Sequence, residues 1–314
     1  MPTTSADNDF VINDPAEFAK CVAPDARVRK LAGGFKFTEG PAWLTGSEGG
    51  FLVFSDIPAS EMKKWTPEGG IAVFRKPSNQ SNGNTVDRQG RLITCEHESR
   101  RVTRTEKDGT ITVLAERFEG KRLNSPNDVV VKSDDTIWFT DPPYGLPRQT
   151  EGKELDKQHV FRLDPATGKL TSLISDMDRP NGLCFSPDEK RLYVANSGQA
   201  RHIRVFDVRS DGTVANGRLF CEMDIGAPDG IRCDADGRVW SSAGDGVHIF
   251  SPDGKLIGKI LTPLVDNPQK PGQKMRETPA NLCFGGADGR TLFMTARTSL
   301  YAIPVRMGEA RRPR

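Results

Sequence analysis

Short runs of apolar residues recur along the chain between polar, glycine-containing breaks, and they do so with a regular period. One unit repeats. A polar residue opens it, a short apolar strand and a turn follow, a second strand comes next, and two further strands complete it. The openings are EGPAW at Glu39, NGNTVD at Asn82, NDVVV at Asn127, NGLCFS at Asn181, DGIRCD at Asp229 and NLCFGG at Asn281, spaced 43, 45, 54, 48 and 52 residues apart. The second strands read GFLVFS, GRLITC, DTIWFT, KRLYVAN, GRVWSS and RTLFMT. Asp-Gly or Gln-Gly pairs at 89–90, 108–109, 211–212, 236–237, 253–254 and 288–289 suit hairpin turns, because glycine takes positive φ without steric cost.

Four short strands with hairpin turns fill such a period, and a repeat of this length specifies a closed or stacked architecture. Six units predict an all-β, six-bladed β-propeller with four antiparallel strands per blade, a fold that removes exposed sheet edges by closing radially. The last unit lacks a fourth strand after TSLYAIPV, and ARVRKLAGGF near the N-terminus supplies it, closing the ring with a strand from each end. The segment DPPYGLPRQTEGKELDKQH lengthens the third unit and is placed to shape one mouth of the channel. The domain reading is an N-terminal extension over 1–26, a single propeller over 27–305 and a basic tail over 306–314.

Propeller geometry turns the repeat into a site. The innermost strands all run the same way, so Glu39, Asn82, Asn127, Asn181, Asp229 and Asn281 meet as a polar ring at one face. The second strand of each blade returns to that face, which puts Asp56, Glu96, His97, Asp141, Tyr144, Asn196 and Arg297 around the ring. Two carboxylates and several amide oxygens, without cysteine or paired histidines, describe a hard-cation site. Calcium is the first choice, since it accepts carboxylate and amide oxygens in flexible geometry, whereas zinc favours nitrogen and sulfur. A ring that merely hydrates a water-filled channel accounts for the same residues. DADG at 234–237 lacks the remainder of an EF-hand loop and reads as a turn.

Composition narrows the classes. The 314 residues carry a formal charge of +2, and the stretch 306–314 alone holds four Arg and one Glu, leaving the body near neutral and without an electrostatic case for nucleic acid. The first twenty residues have neither a basic start nor a long apolar run, and no segment approaches 18 apolar residues, so no secretory signal and no membrane span are expected. The six cysteines are scattered without metal-ribbon spacing, consistent with buried free thiols in a reducing cytoplasm. A monomer or weak homodimer is expected, because a closed ring needs no partner.

At these residues the sequence resembles the SMP-30/gluconolactonase family of calcium-dependent propeller lactonases, and its bacterial gluconolactonase-like members more narrowly. The matching stretches are EGPAW, SNGNTVD, TCEHESRRVTR, NSPNDVVV, IWFTDPPYG, RPNGLCFS, APDGIRCD and NLCFGG, in order over roughly residues 31 to 305. The resemblance implies Glu39, Asn127, Asn181 and Asp229 as metal ligands, with Ca2+ first and Zn2+, Mn2+ or Mg2+ as substitutes. It implies Asp229 as general base or, as in related phosphotriesterases, nucleophile. Mammalian members place an arginine two residues before the third-blade Asn, where this chain has Ser125; hydrogen bonds from Asn124, His97 or Tyr144 are expected to orient substrate instead.

The expected reaction is hydrolysis of a sugar lactone such as glucono-1,5-lactone to the aldonic acid, with Asn82, His97, Asn124, Tyr144 and Arg297 toward substrate. His97 reads equally as a substrate contact or proton relay and as a structural histidine. Glu96 is read as orienting that ring or pairing with Arg100 or Arg101, and Asp141 as capping the following turn rather than binding a second ion. Hydrolysis of aryl esters or organophosphates at the same metal is the alternative, and a non-catalytic scaffold with a blocked mouth is the other. Nucleophile-elbow, HExxH, P-loop and dinucleotide fingerprints are missing from the sequence.

Overall fold

Alternate residues of one strand serve two cores. In a computed structural model describing residues 9–45 and 49–310, Trp138 packs toward blade 4 and its neighbour Phe139 toward blade 2, because successive side chains of a strand point to opposite faces. A strand buried on both faces reads as an unbroken apolar run, which is why IWFT or LFM shows no alternation. Six apolar clusters result, one between each pair of neighbouring blades. The core is therefore a set of spokes around an axis.

The strands that make the blades follow the sequence repeat. Blade 1 comprises Thr38–Leu44, Phe51–Asp56, Glu61–Thr66 and Gly70–Arg75, and blade 2 Ser81–Val86, Leu92–Glu96, Arg101–Thr105 and Ile111–Ala115. Blade 3 comprises Val129–Val131, Ile137–Asp141, His159–Asp164 and Lys169–Ile174, and blade 4 Pro180–Phe185, Arg191–Asn196, His202–Val208 and Val214–Glu222. Blade 5 is built from Ile231–Cys233, Val239–Ser242, Gly246–Phe250 and Leu256–Leu261, and blade 6 from Pro279–Gly285, Thr291–Ala296 and Ser299–Pro304. Arg29–Gly33 completes blade 6 by pairing antiparallel with Ser299–Pro304, so the ring closes with an N-terminal strand.

The N-terminal extension is integrated into the propeller over its described part. Phe10–Ile12 adds a fifth strand to blade 5, and the helix Pro15–Cys21, capped by Asp14, lays Phe18 and Cys21 into the cluster between blades 5 and 6. The start of the basic tail is also held: Arg306 donates its N–H to the Cys21 carbonyl at 2.8 Å and Ala310 donates to Cys233 at 3.0 Å. Residues 1–8 of the extension and 311–314 of the tail lie outside the described residues. All six cysteines are buried and free. Among the described residues no helix is long and apolar enough to cross a membrane.

The inner strands meet at the axis without room for side chains between them. Glu39, Asn82, Asn181 and Asp229 are each followed by glycine. A β-carbon on Gly40 would lie 2.0 Å from the Asn82 carbonyl oxygen, on Gly83 2.4 Å from that of Asn127, on Gly182 2.3 Å from that of Asp229, and on Gly230 2.0 Å from the Asn281 amide oxygen. The backbones that come this close also bond: Gly83 donates to Asn127 at 2.8 Å and Gly182 to Asp229 at 3.1 Å. These glycines thus draw the polar ring together.

Replacing Gly182 by Ala is expected to destabilise the protein by about 1–3 kcal/mol, since a methyl group must displace backbone rather than a flexible side chain. Urea unfolding of the variant beside wild type checks this, and an unchanged midpoint would show that the strands have slack.

Candidate active site

The polar ring forms as the strand directions dictate. Glu39, Asn82, Asn127, Asn181 and Asp229 line one cavity of about 370 Å³ that opens to solvent; the first four are buried apart from that opening, and Asp229 is half-buried. Asn281 stands behind Glu39 rather than in the cavity, donating from Nδ2 to Glu39 Oε2 at 3.0 Å. Glu39 Oε2 also accepts the Gly40 N–H at 2.7 Å. The amides form a chain: Asn82 Nδ2 donates to Asn127 Oδ1 at 2.7 Å, and Asn127 Nδ2 donates to Asn181 Oδ1 at 2.6 Å.

The two carboxylates are held in an unfavourable state. Burial and the nearby charge of Asp128 push the Glu39 carboxyl above its ordinary value, and burial together with Glu39 pushes Asp229 well above its own. Within the described structure Asp229 Oδ1 and Asn82 Oδ1 are buried and accept no hydrogen bond. Unpaired buried acceptors are costly, and two like charges confined together ask for a cation. The donor set fits a hard divalent ion: two carboxylates and the amide oxygens of Asn127 and Asn181. Only two of the four are acidic, and among the described residues no three His, Cys, Asp or Glu side chains gather as a metal cluster.

Around the ring only part of the expected second tier faces the cavity. His97 does, with Nε2 lying 3.0 Å from Asn82 Nδ2 and 3.3 Å from Asn127 Oδ1, and burial lowers its pKa to about 4, so its ring is neutral. Tyr144 also lines it, carried there by the third-blade insertion, and its hydroxyl is pushed up to about 12 by burial and then by Asp229. Ser125 does not face the cavity. Its hydroxyl donates to the Pro142 carbonyl at 2.6 Å and accepts the Gly145 N–H at 2.9 Å, fixing the turn that delivers Tyr144.

Asn124 and Arg297 do not line the cavity. Asn124 turns its amide inward to the carbonyls of Asp141 and Lys157, at 2.9 and 3.0 Å, and Arg297 lies exposed on the turn between two strands of blade 6 with φ of 44°. The mouth loops carry backbone donors that need acceptors, and strand-end side chains supply them. Asp56 accepts from the N–H groups of Lys36 and Phe37, and Asp141 accepts the Asn124 N–H at 2.8 Å, so Asp141 caps the segment before its blade rather than the turn after it. Asn196 lies with its amide 3.2 Å from His202 Nε2. Glu96 pairs with Arg101 and Arg75, each at 2.7 Å, while Arg100 clamps the carbonyls of Leu123, Asn124 and Gly152.

In place of the missing polar groups the cavity has an apolar wall of Phe37, Ile57, Pro58, Ala227 and Pro228, with Ser197 beside Tyr144. Sequence periodicity gave no sign of these, because they sit in loops before and after strands. A larger groove of about 490 Å³ between blades 6 and 1, walled by Trp43, Trp65 and Phe293, contains none of the ring residues.

Comparison with known proteins agrees with this architecture. A gluconolactonase from Zymomonas mobilis subsp. mobilis is 36% identical over 301 residues, covering 88% of this chain and 80% of that protein. The solved structure of a gluconolactonase from Xanthomonas campestris is 36% identical, with a TM-score of 0.84 over 97% of each chain. At 19% identity a regucalcin from Agrobacterium tumefaciens still superposes with a TM-score of 0.72 over 91% of this chain and 97% of its own, which speaks for the fold alone. The family model described as the SMP-30/Gluconolactonase/LRE-like region matches residues 37–298, and the chain belongs to that family.

Proposed function

We propose that the protein is a sugar lactonase that opens a lactone such as glucono-1,5-lactone to the aldonic acid, using a divalent cation, calcium first, held by Glu39, Asn127, Asn181 and Asp229. One observation carries this reading: two carboxylates, buried Glu39 and half-buried Asp229, each shifted toward its protonated form, line a cavity open to small molecules together with Asn127 and Asn181. The gluconolactonase relatives at 36% identity support the reaction class. An oxygen-only donor set favours calcium, magnesium or manganese over zinc.

When bound, the cation would supply Lewis-acid polarisation of the lactone carbonyl. The chain's own groups do the rest. Asp229, whose Oδ1 is free of hydrogen bonds within the described structure, takes a proton from the attacking water. The water oxygen bonds to the carbonyl carbon, the ring C–O bond breaks, and the departing alkoxide recovers the proton from Asp229. Neutral His97 accepts from Asn82 Nδ2 at Nε2 and so orders the amide that donates on to Asn127, and the Tyr144 hydroxyl stays protonated and able to donate to a substrate oxygen. Glu39 is fixed by Asn281 and Gly40 and so serves to hold charge rather than to move a proton.

The apolar wall of Phe37, Ile57 and Pro58 gives aryl esters and organophosphates a place as a second reading, since it offers no partner for hydroxyl groups. The open mouth does not match the blocked one that a pure scaffold calls for.

Proton release from a panel of aldono-lactones, beside an aryl ester and an organophosphate, by chelator-stripped protein with each divalent ion restored, is expected to show cation-dependent turnover highest on a lactone. Turnover on the aryl ester alone would favour the second reading, and none on any substrate would remove the catalytic one. Asp229→Asn is expected to keep the melting profile and lower kcat by about 10²–10⁴-fold, the range for loss of a general base.

Both carboxylates are raised, so the cation-free fold is favoured by their protonated forms, and that contribution fades as pH climbs through the raised values. Protons and cation compete for the same oxygens. Calcium is therefore expected to raise the melting temperature more at about pH 8 than at about pH 5.5, and equal shifts would place the cation elsewhere.

A further inference from the structure

Four of the six ring residues are followed by glycine and Asn281 by Leu282, but Asn127 is followed by Asp128, and that carboxylate does not turn to solvent. Its side chain is fully buried and meets Arg232, also buried, with Oδ2 3.3 Å from Nη1. Asp128 adjoins blade 3 and Arg232 lies in blade 5, with blade 4 between them. Two side chains from non-adjacent blades meet only inside the central channel, so the pair bridges it beside the ring. Asp128 Oδ1 accepts the Val129 N–H at 2.9 Å, and Arg232 Nη1 also donates to the Ile231 carbonyl at 2.7 Å.

A buried ion pair is a poor device for stability alone, because its desolvation cost rivals the attraction it gains, and apolar side chains would close the channel at less cost. Charge retained at such a place acts on neighbouring charge. The ring is that neighbour: Asp128 directly follows the ring residue Asn127 and sets its Oδ1 against the backbone of Gly83, next to Asn82, while Arg232 lies three residues past Asp229 on the inner strand of blade 5. Both members of the pair thus stand where their charge acts on the ring. Burial keeps water from screening that influence.

We propose that Asp128 and Arg232 are positioning residues that set the cation affinity of the ring, Asp128 strengthening it and Arg232 holding it in check. This rests on the cation reading given above. Neither residue lines the substrate cavity, so both act through the charge at the ring and not by touching substrate. The signs differ for the two members. Removing the carboxylate while keeping its shape weakens cation binding, removing the guanidinium strengthens it, and removing both largely cancels.

Isothermal titration of calcium into chelator-stripped full-length protein tests this, with circular dichroism to verify folding. Asp128→Asn is expected to weaken binding by about tenfold or more, Arg232→Gln to tighten it by a similar factor, and the double variant to lie within about threefold of wild type. The two single variants are independent arms, so either one alone decides the sign if the other fails to fold. Should both fail, the double variant, which leaves no unpaired charge, is decisive: affinity within threefold of wild type supports the proposal and a larger loss overturns it. Single variants that bind as wild type does, or that both weaken binding, overturn it and leave the cation site standing. Wild-type protein that binds no calcium, magnesium or manganese overturns the cation reading itself and this proposal with it.

Discussion

At the mouth of the channel the inner strands of neighbouring blades approach so closely that a β-carbon between them would overlap a carbonyl or amide oxygen at 2.0–2.4 Å. Much else depends on that approach. It allows Gly83 and Gly182 to hydrogen-bond the next blade, and it brings six polar residues from segments spread over more than 240 positions of the chain into one ring. The blades are held apart and oriented by apolar clusters at every interface, and the ring is what their inner edges produce when packed to that limit. Glycine in a strand normally weakens it; here it marks close backbone contact.

The same closeness sets the chemistry. Buried Glu39 and half-buried Asp229 share one cavity, with desolvation raising both carboxyls, so neither is comfortable as an anion without a cation beside it. The surrounding amides are ordered by one another and by His97, which leaves the unpaired oxygens of Asp229 and Asn82 at the site. Unsatisfied acceptors of this kind cost stability, and a ligand that satisfies them recovers it. Strain of this kind concentrates where a protein binds something.

The propeller and its ring were legible because both follow from a repeat: each opening residue occupies the same place on an equivalent strand, so one register predicts six positions. The closing strand was legible for a similar reason, since blade 6 visibly lacked a partner for Ser299–Pro304. The outer contacts were harder to read. Asn124 and Arg297 sit at strand ends and turns, where direction depends on local φ and on which backbone donors need an acceptor, and periodicity carries neither. Asp56 and Asp141 were drawn into that service as well. The strand Phe10–Ile12 escaped notice because three residues do not make a pattern. The hairpin glycines lie elsewhere in the repeat, and only packing shows that Gly40, Gly83, Gly182 and Gly230 are spacers; against that rule Asp128 after Asn127 and Leu282 after Asn281 are the two departures, and Asp128 is the charged one.

The central claim is that the ring assembled by this packing is a cation site made by Glu39, Asn127, Asn181 and Asp229. Anomalous diffraction from crystals of the full-length protein grown with manganese tests it most directly. The account predicts one strong peak at the top of the channel, within about 2.0–2.6 Å of oxygens from those four side chains, the range for hard cations on oxygen ligands. A strong peak elsewhere with nothing at the ring, or coordination that omits both carboxylates, would contradict it.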